Sequence, residues 1–307
     1  MKTLLFAALL LMVSPGFSAP PTGTKKVALS FDDCPRRTGT LMNGMERARK
    51  LTKALKEVKT GPVVFFCNSP SRQPDGLERL KLFSAEGHLI ANHTATHPDL
   101  YKTSVADFTR EIETAHDELK DLPGFRKWFR FPYLHEGKTA EAVNGVRASL
   151  KKMGYTNGYV TIDNNDWAID DVFTKGVAAG RAFDQQKLCA TYSQILLDES
   201  EFFDEMSVKA LGRSVKHVIL LHETDLNALC LGELVKTLRA HRWEIISPDE
   251  AYKDPIASQE PKAETKLNQG RVFALAQESG YKGRLYSKWN ELESMTAEMD
   301  RQGVWTK

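Results

Sequence analysis

Seven short β-branched or aromatic runs, most of them separated by segments of helical hydrophobic spacing, limit what this chain can fold into. The runs cover residues 27–31, 63–67, 88–92, 128–131, 158–162, 217–221 and 243–246. Between them, Ala48, Leu51, Leu55 and Val58 repeat at helix spacing, as do Val105, Phe108, Ile112, Ala115 and Leu119. Ala142, Val143, Val146, Leu150 and Met153 form another stripe, and Leu231, Leu234, Val235 and Leu238 a further one. Strands alternating with amphipathic helices build βα units around a parallel sheet, with the stripes as core.

Two segments break this rhythm. Residues 173–212 read as a long, mostly helical excursion with Phe183, Leu188, Ile195, Leu196, Phe202, Phe203 and Met206 to bury. Beyond Pro255 come a polar linker, 257–265, and a helical tail carrying Val272, Phe273, Leu275, Trp289, Leu292, Met295 and Met299. The tail has too few apolar residues for a core of its own and is expected to pack on the main domain.

At the start, Lys2 precedes an apolar run, 4–13, too short to span a bilayer, and small residues follow at 15–19. This pattern is that of a secretory signal peptide over residues 1–18, so the mature chain is expected to be secreted or periplasmic, without a membrane span. Charge is plentiful but balanced, at +2 net, with no basic stripe for nucleic acid. The four cysteines, Cys34, Cys67, Cys189 and Cys230, match no zinc ribbon. In an exported protein they can pair in three ways or stay buried as small apolar residues.

Polar clusters follow the strand candidates. Asp32-Asp33 ends the first, Asn92-His93 the third, and Arg130-Phe131-Pro132-Tyr133 the fourth. Asp163-Asn164-Asn165-Asp166-Trp167 follows the fifth, and Leu220-Leu221-His222 ends the sixth. In a parallel α/β barrel such ends converge on the face that holds the active site. His93 and His97, four apart, present both rings to one side if they occupy a helical turn. Two imidazoles and one carboxylate make a three-ligand metal site with room for water, leaving the second carboxylate as a base. In a continuing strand Asp32 and Asp33 point to opposite faces; Pro35 suggests that the backbone bends there. Arg130 can fix a nearby aspartate in its ionised form. His222 reads as a titrating group whose ring Asp163 or Asp166 orients. Trp167 is core or a platform for a sugar face. His88, His116, His135, His217 and His241 read as structural or surface.

This ordered set resembles all five motifs of the polysaccharide deacetylases, carbohydrate esterase family 4, over roughly residues 25–254. Within that family the chain looks most like a bacterial secreted peptidoglycan N-acetylglucosamine deacetylase. The resemblance implies an α/β fold, a distorted (β/α) barrel of about seven parallel strands, to which this chain adds the helical insertion and the tail, 255–307. It implies that Asp33, His93 and His97 hold a metal, expected to be Zn2+, and that Asp32 is the general base, tethered by Arg130. Tyr133 is expected to offer its amide to an oxyanion and to touch substrate. Asp166 (or Asp163) and Trp167 are expected to line and tune the site, Leu220 to form the acetyl-methyl pocket, and His222 to be the general acid. Where the family usually has glycine, this chain has Cys34, which could narrow the cleft, add a thiol near the metal or pair with Cys67.

The expected function is hydrolytic removal of N-acetyl groups from a glycan polymer by a monomer, with peptidoglycan preferred over chitin, chitooligosaccharides or acetylated xylan. The rivals are a carbohydrate-binding protein that has lost catalysis and a non-haem iron oxygenase, since two histidines and a carboxylate also suit ferrous iron.

Overall fold

The computed structural model describes residues 23–262 and 270–306. The expected leader, 1–18, and part of the linker lie outside the described residues. The strands are β1 (Lys25–Cys34), β2 (Val64–Cys67), β3 (Leu89–Asn92), β4 (Phe125–Phe129), β5 (Thr156–Asn157), β6 (Ala182–Phe183), β7 (Lys216–His222), β8 (Trp243–Ile245) and β9 (Trp305–Thr306). The helices are α1 (Gly44–Glu57), α2 (Gly76–Ala85), α3 (Val105–Leu119), α4 (Ala140–Lys152) and α5 (Asp166–Ala178). The second half adds α6 (Gln185–Leu211), α7 (Asp225–Ala240), α8 (Pro248–Ala251), α9 (Gly270–Glu278) and α10 (Leu292–Arg301).

One parallel sheet runs β5-β4-β3-β2-β1-β7. β8 pairs with residues 25–27 of β1, below the stretch that pairs with β2. The sheet then curls back on itself. Gly158 donates its amide to the Phe129 carbonyl at 2.7 Å, and four residues later the Leu220 amide donates to Ile162 at 3.0 Å. The segment after β5 therefore leans on β4 at one end and β7 at the other, closing a distorted barrel.

That segment is not the regular strand expected over 158–162. Only Thr156–Asn157 and a single bridge, Ile162 to Ile219, have ladder geometry. The carbonyls between them serve other donors. Gly158 accepts from Arg130 Nε at 2.7 Å, Tyr159 from the Tyr252 hydroxyl at 3.1 Å, and Val160 from the Arg271 amide at 2.8 Å. The fourth strand also sits earlier than its expected 128–131, at Phe125–Phe129, so that residues 130–133 turn into the barrel mouth.

Alternation along β1 places the chemistry. Val27, Leu29 and Phe31 pack outward with Leu51, Leu231 and Leu234 of the helices. Ala28 packs with Val218 in a separate cluster, on the other face. Ser30 and Asp32 continue that inner row. The helices form where the stripes place them, and side chains cap them. Asn43 and Glu46 close a capping box at α1, while Ser104, Thr139, Asp184 and Thr224 cap α3, α4, α6 and α7.

The excursion is the 27-residue helix α6, packed on α7 and joined to it by a Cys189–Cys230 disulfide. In the tail, α9 packs on α6 and α10 on α5, burying Val272, Phe273, Met295 and Met299. Its last residues form β9, which pairs antiparallel with β6 of the insertion, an element without a signal in the hydrophobic spacing.

Candidate active site

Asp32 and Asp33 reach the same cleft because β1 breaks register between Phe31 and Cys34, with Asp33 at φ 62°. The left-handed residue turns Asp33 back toward the mouth instead of outward. Asp32, 3% exposed, receives Arg130 Nη1 at 2.5 Å. Arg130 is itself fixed by Ser30 Oγ at 2.8 Å, the Gly158 carbonyl and the Tyr252 hydroxyl at 3.0 Å, and its guanidinium stacks 3.8 Å from the Phe66 ring centroid. A charge buried with this many partners is a positioned carboxylate rather than a surface one.

His93 to His97 is a loop, not the helical turn that would explain the spacing. Thr94 and His97 have φ of 66° and 64°. Side chains hold the loop: Asn68 donates to the His93 carbonyl at 2.8 Å, Asn92 accepts from the Thr94 amide at 2.9 Å, and Glu111 accepts from the Thr96 amide at 2.7 Å. The rings still converge. His93 Nδ1 donates to the Arg130 carbonyl at 2.8 Å, which turns the Nε2 lone pair toward Asp33 Oδ1, 3.5 Å away. His97 Nε2 lies 3.1 Å from the same oxygen.

Asp33, His93 and His97 each offer one ligand atom, all within 4.8 Å of one another. Asp33 Oδ1 is buried and has no hydrogen bond of acceptable geometry, although two imidazoles face it. An orphaned carboxylate oxygen between two ring nitrogens fits a cation shared by all three. These residues could hold a metal ion.

Across the cleft, His222 Nδ1 lies 2.7 Å from Asp166 Oδ1, and its amide donates to Asp166 Oδ2 at 2.8 Å. Asn227, held in turn by the Tyr192 hydroxyl, donates to Asp166 Oδ2 at 2.8 Å. Burial opposes charge on His222, but the Asp166 carboxylate outweighs it and pushes the imidazole up to about 9. Asp166, not Asp163, therefore orients the ring. Asp163 lines the cleft instead, and withdrawal from water pushes its carboxyl up to about 7.

The cleft holds about 560 Å³ and brings together Asp32, Asp33, His93, His97, Leu220 and His222. Tyr133 and Trp167 also line it, 57% and 53% exposed, so Trp167 is not core. Arg130 and Asp166 lie beneath. Cys34 does not line the cleft; it is a buried free thiol next to Cys67, and the two are not bridged. Burial and the Cys67 neighbour push its thiol well up, so it is inert packing.

A polysaccharide deacetylase family model matches residues 19–158. Residues 19–158 thus match a polysaccharide deacetylase domain, the family that the motifs resemble. It is 28% identical over 169 residues to a chitooligosaccharide deacetylase of Bradyrhizobium sp., covering 52% of this chain and 68% of that one. It is 27% identical over 160 residues to a peptidoglycan-N-acetylglucosamine deacetylase of Bacillus cereus, covering 52% of this chain and only 50% of that one. Among solved structures, the chitin deacetylase of Colletotrichum lindemuthianum superposes with a TM-score of 0.52 at 19% identity, over 82% of this chain and 93% of that one. That likeness is one of fold.

The cleft also has a wall that the motif reading did not reach. Asn290, from the tail, lines the cleft. Buried Glu199 of α6 keys this wall, accepting from the Asn165 amide at 3.0 Å and from Ser287 Oγ at 3.1 Å. The Asn165 side-chain amide donates to the Trp289 carbonyl at 3.1 Å. No local pattern marks these residues, because each partner is at least 34 positions away.

Proposed function

We propose that the chain hydrolyses the N-acetyl amide of N-acetylglucosamine residues in a cell-wall polysaccharide, with peptidoglycan as the first choice. One observation carries this reading. A single cleft combines a three-donor cluster, a carboxylate fixed by a buried arginine, and an imidazole held by a buried aspartate. A pure binder of sugars has no need of both a base and an acid.

Asp33, His93 and His97 would hold a divalent ion, zinc on ligand grounds, which when bound polarises an amide carbonyl and acidifies water. Asp32, oriented by Arg130, takes the proton of the attacking water. The Tyr133 amide donates to the carbonyl oxygen as it gains charge, a contact worth about 3 kcal/mol. His222 gives its proton to the nitrogen as the C–N bond breaks, so the amine leaves neutral. Leu220 supplies an apolar wall for the acetyl methyl, and Tyr133 and Trp167 supply rings for the flanking sugar faces. Residues 25–254 form the catalytic unit, with the helices α9 and α10 of the tail, 255–307, packed on it. Export by the leader, 1–18, brings that unit to the wall polymer. The likeness to a chitooligosaccharide deacetylase and a peptidoglycan-N-acetylglucosamine deacetylase supports the substrate class.

The test is to incubate the mature protein with peptidoglycan and chitin fragments, with and without chelator, and locate lost acetyl groups by mass. Chelator-sensitive acetate release is expected, and Asp32→Asn is expected to lose about 10²–10⁴-fold in rate while keeping its metal. An Asp32→Asn protein that keeps most of its activity overturns the assignment. Binding without acetate release favours a binder on the same fold, and oxygen dependence favours the iron-oxygenase rival.

A further inference from the structure

A second concavity, of about 240 Å³, opens beside the cleft and shares Asp33, Arg36 and His97 with it. Its other walls include Arg37, Arg72, Asn68 and Gln73. Among the described residues, three arginines line this groove, and its one acidic residue, Asp33, already faces Arg36 at 3.3 Å and the two imidazoles. Among the described residues, the Arg37 and Arg72 guanidiniums have no ion pair or hydrogen bond.

Exposed arginines are usually solvated surface, but two of these stand on a built support. The Arg36 carbonyl accepts from Arg47 Nη2 at 3.0 Å and from Arg79 Nη1 at 2.8 Å, and the Arg37 carbonyl accepts from Arg47 Nη2 at 2.8 Å. The Arg36 amide donates to Glu223 Oε2 at 2.9 Å. Arg47, Arg79 and Glu223 are 2%, 0% and 0% exposed. Burying three charged side chains is costly, and this network spends its donors on the backbone of the Arg36–Arg37 turn. A rigid turn presenting two cations beside a third suits recognition of a fixed anion, because a guanidinium matches a carboxylate fork to fork.

We propose that this groove is a subsite for a carboxylate carried by the glycan, one sugar away from the acetamide that enters the cleft. The inference rests on the deacetylase reading and narrows it. A neutral polymer of N-acetylglucosamine offers these arginines hydroxyl and carbonyl oxygens but no negative charge, whereas a wall glycan bearing lactyl-linked peptides offers free carboxylates. The protein should therefore prefer the acidic polymer.

The experiment compares two tetrasaccharides of equal length, a muropeptide fragment with free peptide carboxylates and neutral tetra-N-acetylchitotetraose. Arg37→Gln and Arg72→Gln alter exposed side chains, so folding is not at stake. The ratio of kcat/KM for the acidic over the neutral glycan should fall roughly threefold for either change and roughly tenfold for both, through KM. The wild-type preference should also shrink as salt rises. In parallel, calorimetry on Asp32→Asn measures binding of both glycans with and without the two arginine changes. An acidic preference that survives the double change in both assays, or no acidic preference in the wild type, overturns the subsite. Arginine-dependent binding of the acidic glycan with no acetate release from either sustains the subsite and sinks the hydrolase.

Discussion

Asp32 and Asp33 are chemically alike and adjacent, and backbone geometry gives them different partners. The inner row of β1 carries Asp32 onto Arg130, and the left-handed φ at Asp33 swings the next carboxylate to the two imidazoles. Because Asp32 is buried, Arg130→Met should cost about 3–5 kcal/mol of stability in urea unfolding, by stranding an unpaired charge. Asp32→Asn in that background should recover part of the loss, and additive losses would contradict a pair that acts as a unit. The pH dependence belongs at this scale too. In the proposed mechanism His222 acts as an acid only when protonated, so activity should fall as pH rises through the region set by a group at about 9. Asp166→Asn removes the largest contribution that raises it and leaves burial, which lowers it. The alkaline limb of kcat should then move down, toward or below the ordinary 6.5. A bound cation lowers the limb of both proteins alike, so the difference between the two profiles is the measurement. An unmoved limb would remove His222 from the acid role.

Elements differ in how plainly the sequence announces them. The stripes of α1, α3 and α4 and the runs of β1, β2, β3 and β7 are local patterns set by one-sided burial, and the structure has them within a few residues. The motif residues were legible for a related reason, since each sits at the end of such a run. What was not legible is held by distant partners. The fifth run, 158–162, reads as a strand by composition, but Arg130, Tyr252 and Arg271 claim its carbonyls. The histidine loop imitates a helical spacing while Asn68, Asn92 and Glu111 fix it otherwise. Glu223, Arg47 and Arg79 carry no motif at all. The cysteine pairing was open among three connectivities, and only the packing of α6 on α7 selects Cys189 with Cys230. That bond closes a loop of 41 residues, so replacing both cysteines by alanine should lower stability by about 3–4 kcal/mol in urea unfolding. Replacing buried Cys67 by alanine should cost far less, and equal costs would argue against the bond.

The molecule as a whole is a barrel strapped by its own last residues. β9 lies on β6, and the Trp305 ring rests over α5, the helix whose first turn carries Asp166 and Trp167. Gly176 of α5 makes room for it: a Cβ there would lie 2.1 Å from the Trp305 ring. Two opposing terms meet at this glycine. Alanine in a helix interior is favoured over glycine by about 1 kcal/mol, whereas forcing a methyl into a packed contact costs about 1–3 kcal/mol. The ring cannot simply swing aside, because Phe173 stacks on it at 6.2 Å and Arg181 covers it at 4.2 Å. Gly176→Ala should therefore be net destabilising and should loosen the strap, read as faster proteolysis within residues 280–306. In a Trp305→Ala background the clash is gone and only the helix term remains, so the same change should become stabilising by up to about 1 kcal/mol. The reversal of sign is the decisive observation, because a purely local effect at Gly176 gives the same sign in both backgrounds. Acetate release followed in the same four proteins would show whether a strap at the far end of α5 reaches the histidine that Asp166 holds at its start.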